Sequence, residues 1–266
     1  MKDSVTILGS RGSVPVNGSE FARYGGATTC ILVCLVGEYL VLDAGTGLMK
    51  LPAPALERPV LPLVLSHPHL DHLLGLPMCA YLLRPGARLE LYSKSRGGLD
   101  AEAQVRRMLS PPLWPIGPEA FPAELRFVPL PERVETGSLT VESIEGVHPG
   151  GVSVLRVSAG GKRVVFASDC TLTPELLPKI TEYARDCDLL LCDGQYSDEE
   201  FPPRSGYGHS SWTMAARLGR DCGAKRTRIV HHDPSHTDAV LAAAEAALEA
   251  EFPDCRFARE GESIEL

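Results

Sequence analysis

The sequence predicts a layered α/β fold from three observations. Short apolar or β-branched runs recur along the chain between turn-forming Gly, Pro and Asp residues, as strands do. Segments of helical composition lie between several of these runs. The later runs end, within one or two residues, in a His or an Asp, and layered α/β folds assemble their sites at such strand ends. At 266 residues the chain can form one sizeable core, so we expect a single domain over residues 1–266.

In the N-terminal half, the first predicted strand is followed by a glycine-rich loop, and a hairpin turning at Gly37-Glu38 comes next. A helix is predicted over residues 73–83, after the segment that follows the strand at 61–65, although it contains Pro77. The proline-rich segment 111–122 cannot hold regular structure, and either walls a pocket or crosses the surface on two anchoring aromatic residues. The predicted strands are 4–8, 29–36, 39–42, 61–65 and 89–92, and the predicted helices are 73–83 and 99–109.

In the C-terminal half, strands predominate and two helices are predicted. The predicted strands are 139–147, 152–157, 163–166, 189–192 and 228–230, and the helices are 212–222 and 238–251. Four of these strands are followed, with at most two residues between, by a polar residue: His148, Asp169, Asp193 and His231. Because such strand ends meet at one edge, we expect these four side chains to lie close together.

The strand at 61–65 leads directly into a histidine cluster, His67-Pro68-His69-Leu70-Asp71-His72. With 8 His in 266 residues, this pattern would arise by chance in about four of every ten thousand such sequences. Neutral imidazole suits zinc and similar divalent ions, and carboxylates can bridge two of them. Two ions about 3.5–4 Å apart can share a water and lower its pKa toward about 7. A metal-bridging hydroxide is therefore the expected nucleophile.

Composition excludes several function classes. The net charge of −8 makes a broad nucleic-acid surface unfavourable, because polyanion binding requires a basic footprint. There is no secretory signal and no apolar stretch of about 18 residues, so we expect a cytoplasmic protein with no membrane partner. The eight cysteines lie mostly in apolar runs without a C-x-x-C motif, and we expect reduced, buried thiols.

Together these residues resemble the metallo-β-lactamase fold superfamily, in which an Asp-containing turn, H-x-H-x-D-H, a lone His, a lone Asp and a terminal His follow in this order. The resemblance implies a four-layer αββα sandwich with a two-metal site at one edge. It implies a first metal held by His67, His69 and His148. A second would be held by Asp71, His72 and His231, with Asp169 bridging the two ions.

Two positions in this set are open to more than one interpretation. Asp43, in the turn after the predicted strand 39–42, is expected to orient a ligand histidine and not to bind metal. His231 is favoured over His232 as the terminal ligand because it ends the strand, and His232 remains the alternative. His236 is interpreted as a residue at the N-terminus of the last helix.

Gly208-His209-Ser210 before a predicted helix resembles the G-H-S segment of the ribonuclease Z and phosphodiesterase-like branch of this superfamily. The resemblance implies that His209 works with Asp193 as a general acid. The chain departs from ribonuclease Z in lacking a Gly/Pro-rich basic arm and in having Asp193 where Glu is usual. Both departures favour the small phosphodiesterase-like members, which the His-His-Asp-Pro ending and the Pro-Pro-x-x-Pro crossover also resemble.

The sequence therefore predicts a dinuclear metal-dependent hydrolase of a small nucleotide or sugar-phosphate diester, with zinc favoured and Mn, Fe or Ni as alternatives. The predicted catalytic residues are Asp71, His209 and Asp193. Arg11, Arg23 and Arg204 are candidate anion contacts because each lies in a Gly/Ser- or Pro-containing loop. The alternatives are a carboxylic ester or lactone hydrolase, a tRNA-processing endoribonuclease and a non-enzymatic metal-based sensor. A homodimer is compatible with the sequence.

Overall fold

In the computed structural model, which describes residues 2–266, two seven-stranded sheets face each other. Elements are numbered in chain order. The strands of the first sheet are β1 (Ser4–Gly9), β2 (Cys30–Leu35), β3 (Glu38–Leu42), β4 (Val60–Val64), β5 (Arg88–Ser93), β6 (Glu124–Pro129) and β14 (Ser263–Glu265). Their order across the sheet is β14-β1-β2-β3-β4-β5-β6.

The second sheet contains the remaining strands. They are β7 (Arg133–Thr136), β8 (Leu139–Gly146), β9 (Val152–Ala159), β10 (Lys162–Ala167), β11 (Leu189–Asp193), β12 (Thr227–Val230) and β13 (Cys255–Phe257), in the order β13-β12-β11-β10-β9-β8-β7. The helices are α1 (Ala53–Leu56), α2 (Ala101–Met108), α3 (Leu177–Tyr183), α4 (Trp212–Asp221) and α5 (Asp238–Glu249).

Three apolar layers hold the sheets and helices together. Strand β2 contributes side chains to two of these layers, because its side chains alternate between the two faces of the sheet. Ile31 and Val33 face the second sheet, whereas Leu32 points into the outer layer that α2 covers, and all are buried. A third layer packs α3, α4 and α5 on the far face of the second sheet. The arrangement is a four-layer αββα sandwich, as predicted.

Strand directions bring the expected polar residues to one edge. Strands β3 to β6 are parallel to one another, and β10 to β13 are parallel in the second sheet. Strand β8 runs in the same direction as β10, since each pairs antiparallel with β9. The carboxyl ends of β4, β8, β10, β11 and β12 therefore deliver the histidine motif and the four predicted strand-end residues.

The prediction of a helix over residues 73–83 is wrong. The chain there forms separate 3-10 turns, at Leu70–His72, Leu76–Met78 and Ala80–Leu83. Pro77 cannot donate a helical hydrogen bond. Gly75 donates its N–H to Ala44 O at 2.8 Å, and a Cβ on Gly75 would lie 2.0 Å from Gly45 O. Close packing against the turn after β3 thus replaces helix formation.

The proline-rich segment 111–122 is anchored by its two aromatic residues. The proline-rich segment contains a single 3-10 turn, Pro118–Ala120, and its Trp114 and Phe121 pack against the outer apolar layer as anchors. All eight cysteines are free and buried, as predicted. Within residues 2–266, no helix has the length and apolar character needed to cross a membrane.

Candidate metal centre

The structure brings all seven predicted metal ligands into one cluster at the sheet edge. They form two groups, and in each group one donor atom per residue lies within 4.8 Å of the others. The first group is His67, His69 and His148, and the second is Asp71, His72, Asp169 and His231. These are the two sets that the resemblance implied, with Asp169 in the position expected of a shared ligand.

Three residues of the site hold a left-handed backbone at the ends of their strands. The φ angles are 60° at Asp43, 54° at Asp169 and 64° at His231, a region that residues other than Gly seldom adopt. Such conformations cost free energy and persist where the surroundings impose them, often at functional sites. The side chains of Asp169 and His231 belong to the cluster, and that of Asp43 contacts one of its histidines.

Asp169 lies between the two groups. Its Oδ2 is 3.0 Å from Nε2 of His231 and 3.7 Å from Nε2 of His67, and its Oδ1 is 3.2 Å from Nε2 of His72. The contact with His148 Nε2 is longer, at 4.0 Å. One carboxylate therefore faces donors from both groups, which is the geometry a bridging ligand requires.

Asp43 contacts a histidine from outside the cluster. Its Oδ2 lies 2.7 Å from Nδ1 of His72, and the N–H and hydroxyl of Ser66 donate to its two oxygens at 2.7 and 2.8 Å. A carboxylate on Nδ1 orients the imidazole and leaves Nε2 for the cluster. This is the contact expected of Asp43.

The first group is oriented by backbone and hydroxyl oxygens. Nδ1 of His148 lies 2.9 Å from Gly208 O, and Nδ1 of His67 lies 3.0 Å from Ser66 Oγ. Nε2 of His148 is 3.1 Å from Nδ1 of His69, so two ring nitrogens converge on one point. The carbonyl behind the His148 ring and the hydroxyl behind the His67 ring fix which nitrogen of each faces inward.

The donor set fits divalent ions. Nε2 of His67 and Nε2 of His72 are buried, and neither has a hydrogen-bond partner in the described part of the chain, a costly arrangement unless a ligand pairs with them. Burial lowers the pKa of His67 well below its usual value, which keeps a ligating nitrogen free of protons. Burial opposes charge on His231 too, yet Asp169 and Asp71 raise its pKa to about 10. The buried carboxylates thus demand positive charge, which a metal can supply.

His209 and Asp193 form a pair beside the cluster. Nδ1 of His209 lies 2.7 Å from Oδ2 of Asp193. The imidazole stacks on His231 with ring centroids 4.7 Å apart and stands 5.2 Å from the His148 ring. The other oxygen of Asp193 accepts the Ser210 N–H at 2.9 Å. The imidazole is therefore held in one orientation within reach of the metal centre.

Of the tandem histidines, the structure places His231 in the cluster and His232 outside it. Nε2 of His232 lies 2.8 Å from Ala258 O, and its ring packs on Tyr24 and Phe257. Burial, with the nearby positive charge of Arg11, lowers the pKa of His232 to about 3. His232 is thus a neutral core residue.

The prediction that Arg11 contacts an anion is wrong. Its side chain is fully buried; Nε and Nη2 donate to Gly25 O, and Nη1 donates to Asp233 O and His236 O, over distances of 2.7 to 3.2 Å. Because the guanidinium is buried and its N–H groups already donate to these carbonyls, Arg11 is not available to bind an anion. It joins the loop after β1 to the loop after β12.

The other two candidate anion contacts lie in the solvent-accessible part of the structure. Arg23 is exposed and sits over the Tyr24 ring, with Cζ 5.2 Å from the centroid. Arg204 is half-buried and sits over Tyr196 at 5.3 Å. The Tyr196 ring in turn is 6.0 Å from that of His209. Substrate contact by either arginine stays a prediction.

Sequence reasoning missed residues that act through the backbone. The N–H of Ser13 donates to Oδ2 of Asp71 at 2.9 Å. A Cβ on Gly12 would lie 2.3 Å from Nδ1 of His231, and one on Gly208 would lie 2.2 Å from Nδ1 of His148. The only sequence signal was glycine content in the two loops.

Residues 38–232 match the beta-lactamase superfamily domain. The chain is 23% identical over 236 residues to the metallo-beta-lactamase fold protein YhfI of Bacillus subtilis, covering 85% of this chain and 86% of YhfI. The YhfI crystal structure covers 99% of both chains with a TM-score of 0.74 at 19% identity.

Two further similarities are to a ribonuclease Z and to a diphosphatase. A ribonuclease Z of Bradyrhizobium diazoefficiens is 23% identical over 311 aligned positions, covering 98% of this chain and 99% of the relative. The crystal structure of a diphosphatase from the PhnP family has a TM-score of 0.75 at 18% identity, covering 100% of this chain and 98% of that one. At these identities the structural matches establish the shared fold.

Proposed function

The chain belongs to the beta-lactamase superfamily, and from that membership we propose that it is a dinuclear metal-dependent hydrolase of small phosphoric diesters. The observation that carries the proposal is the His209–Asp193 pair beside the seven-residue cluster. An alkoxide leaving from phosphorus needs a proton, and an imidazole fixed by a carboxylate can donate it.

The chain's own residues divide this work. His67, His69 and His148 would hold one ion, Asp71, His72 and His231 the other, with Asp169 shared. Two divalent ions held there would supply positive charge to the phosphoryl oxygens and lower the pKa of a water nucleophile.

His209 would protonate the leaving oxygen as the P–O bond to that oxygen breaks and the bond to a hydroxide oxygen forms. The water that supplies the hydroxide would release its proton to solvent beforehand, and His209 would regain a proton from solvent after the step. Asp193, which accepts hydrogen bonds through both oxygens, keeps the imidazole oriented and stabilises its protonated form. We assign Asp71 a role as a metal ligand and not as a proton acceptor. The Ser13 N–H and His231 both contact its Oδ2, and such contacts stabilise the ionised carboxylate.

Zinc is the proposed ion, since five of the seven cluster residues are histidines, and imidazole is a ligand that zinc accepts readily. Mn, Fe and Ni can occupy His and carboxylate sites as well. Metal analysis of protein purified without added metal would identify the ion, and a site that stays empty after incubation with each of the four would contradict the proposal.

A substrate panel tests the reaction class. Protein reconstituted with Zn²⁺ or Mn²⁺ would be assayed on aryl phosphodiesters, cyclic nucleotides, aryl phosphomonoesters and lactones, with His209→Ala as the matched control. We expect diesters to be hydrolysed fastest, and the variant to lose most activity on the cyclic nucleotides, whose alkoxide leaving group needs a proton. Lactone hydrolysis with untouched diesters would replace the proposal by the ester hydrolase alternative.

A second candidate, cleavage of precursor tRNA, is favoured by the ribonuclease Z similarity, which spans nearly both whole chains. The net charge of −8 opposes it, because a long polyanion gains affinity by releasing counterions from basic surfaces. Precursor tRNA therefore belongs in the same panel. Cleavage of it faster than a short diester would make this second candidate the function.

A further inference from the structure

A small cavity adjoins the first metal group. Its volume is about 170 Å³, and its lining includes His67, His69, Arg96 and Gly151. Pockets that enclose a whole ligand usually measure about 300–1,000 Å³. This cavity is therefore suited to one group of a ligand, and two candidate metal ligands in its lining place it beside the first metal group.

Arg96 is the charged residue of this lining that the proposed mechanism does not use. Its Nη1 donates to Glu145 Oε2 at 2.7 Å and its Nη2 donates to Ser153 Oγ at 2.9 Å. Its Nε is buried and has no hydrogen-bond partner among residues 2–266. A guanidinium has five N–H groups, so this one retains donors for a further acceptor.

The surroundings leave Arg96 with uncompensated charge. Glu145 is shared, because Lys94 Nζ lies 2.9 Å from its Oε1 while Arg96 lies on Oε2. Two cations on one carboxylate give a net positive charge beside the cavity. Such a charge, with free N–H groups, favours an anionic occupant.

The position of Arg96 is fixed by the fold. Its backbone pairs with Leu99 in both directions at 2.9 Å, across a two-residue glycine turn. On the other side, a Cβ on Gly151 would lie 2.5 Å from Arg96 Nη1. Only a glycine leaves room for the guanidinium there, and the loop after β8 that carries Gly151 also carries the candidate ligand His148.

We propose that Arg96 is a specificity-determining residue that binds a second, non-scissile anionic group of the substrate in this cavity. The inference rests on the proposed function and deepens it: the preferred diesters carry a further negative charge next to the scissile phosphate. Arg96 takes no part in bond breaking, so its removal affects recognition of that group and leaves the metal centre in place.

The test uses two diesters that differ in one group, thymidine 5′-(4-nitrophenyl phosphate) with and without a 3′-phosphate. Wild-type protein should prefer the 3′-phosphorylated diester in kcat/KM. Arg96→Met should lose about 10- to 100-fold on that substrate, mainly through KM, and within about 3-fold on the other. Arg96→Lys, which keeps the charge, should recover part of the preference.

Arg228→Met is the matched control, because Arg228 is equally buried, with a side chain 13% exposed against 12% for Arg96, and also pairs with a glutamate. It should leave the preference unchanged. An equal loss on both substrates in Arg96→Met, or no preference in the wild type, would overturn the inference.

A binding measurement separates this inference from the proposed function. Calorimetric titration of metal-loaded protein with thymidine 3′,5′-bisphosphate and with thymidine 5′-phosphate should show tighter binding of the bisphosphate, lost in Arg96→Met. If neither diester is hydrolysed, the proposed function fails, and this titration still decides the role of Arg96. Equal binding of both nucleotides by wild type and variant would contradict it.

Discussion

Nδ1 of His209 lies 2.7 Å from Oδ2 of Asp193, and the far side of the same imidazole faces the candidate metal cluster. The pair is therefore built to orient one proton donor. We predict that His209→Ala keeps its metal content and loses turnover by about 10²–10⁴-fold. The loss should be larger for an alkyl leaving group than for 4-nitrophenolate, which departs without protonation. A variant that drops a metal, or that is equally slow on both, would show that His209 has another role.

Asp169 should be required for metal binding. Asp169→Asn keeps the side-chain shape and tolerates the left-handed backbone at φ 54°, but it removes the charge that faces both ligand groups. We expect metal analysis after dialysis to show loss of one or both ions with the circular dichroism spectrum unchanged.

The control for this variant is Asp186→Asn, at another left-handed aspartate with φ 51° that lies outside the cluster. It should retain the wild-type metal content. Two ions still bound tightly in Asp169→Asn would refute the bridging assignment.

Arg11 should matter for stability and Arg23 should not. Arg11→Met leaves the carbonyls of Gly25, Asp233 and His236 without their buried donor, and each unpaired buried group costs about 1–3 kcal/mol. Arg23 is exposed, so Arg23→Met should stay within about 0.5 kcal/mol. Urea unfolding of both variants measures the free energies. Similar values for the two would contradict the buried role of Arg11.

Glu260 should give a pH-dependent contribution to stability. Its carboxylate accepts the N–H groups of Gly26 and Ala27 at 3.1 and 2.9 Å and pairs with Lys50. Burial opposes the ionised form, but these partners lower the pKa of Glu260 overall. A depressed folded-state pKa stabilises the protein above the unfolded value of about 4.3, and this contribution is lost as pH falls through the folded pKa.

Wild type should therefore exceed Glu260→Gln in unfolding free energy near pH 7 by about 1–2 kcal/mol, with the difference shrinking below about pH 4.3. The control Glu57→Gln, at an exposed position, should change the unfolding free energy near pH 7 by less than about 0.5 kcal/mol. A difference that grows toward acid would contradict the assigned direction of the pKa shift.

Much of the candidate site could be predicted because its residues lie at the ends of strands, and the end of an apolar strand can be recognised in the sequence. The apolar run before His67 and the short runs before Asp169 and His231 fixed where these side chains lie. Their common edge follows from parallel strand direction. The histidine motif, residues 67–72, predicted that the site binds metal ions.

The rest depends on contacts between distant segments, which local patterns do not record. Arg11 looks like any loop arginine until the loop after β12 encloses it. Gly75 prevents a helix through its approach to Gly45, a residue thirty positions earlier. Arg96 and Ser13 gain their roles from partners more than fifty residues away along the chain.

The most direct test of the account is a metal titration of the metal-free protein with bis(4-nitrophenyl) phosphate as substrate. Zn²⁺ or Mn²⁺ would be added in steps while bound metal and the hydrolysis rate are both measured. A dinuclear phosphodiesterase predicts a rate that rises until two ions are bound per chain and then stays constant. Two bound ions with no diester hydrolysis, or a full rate with one ion, would contradict it.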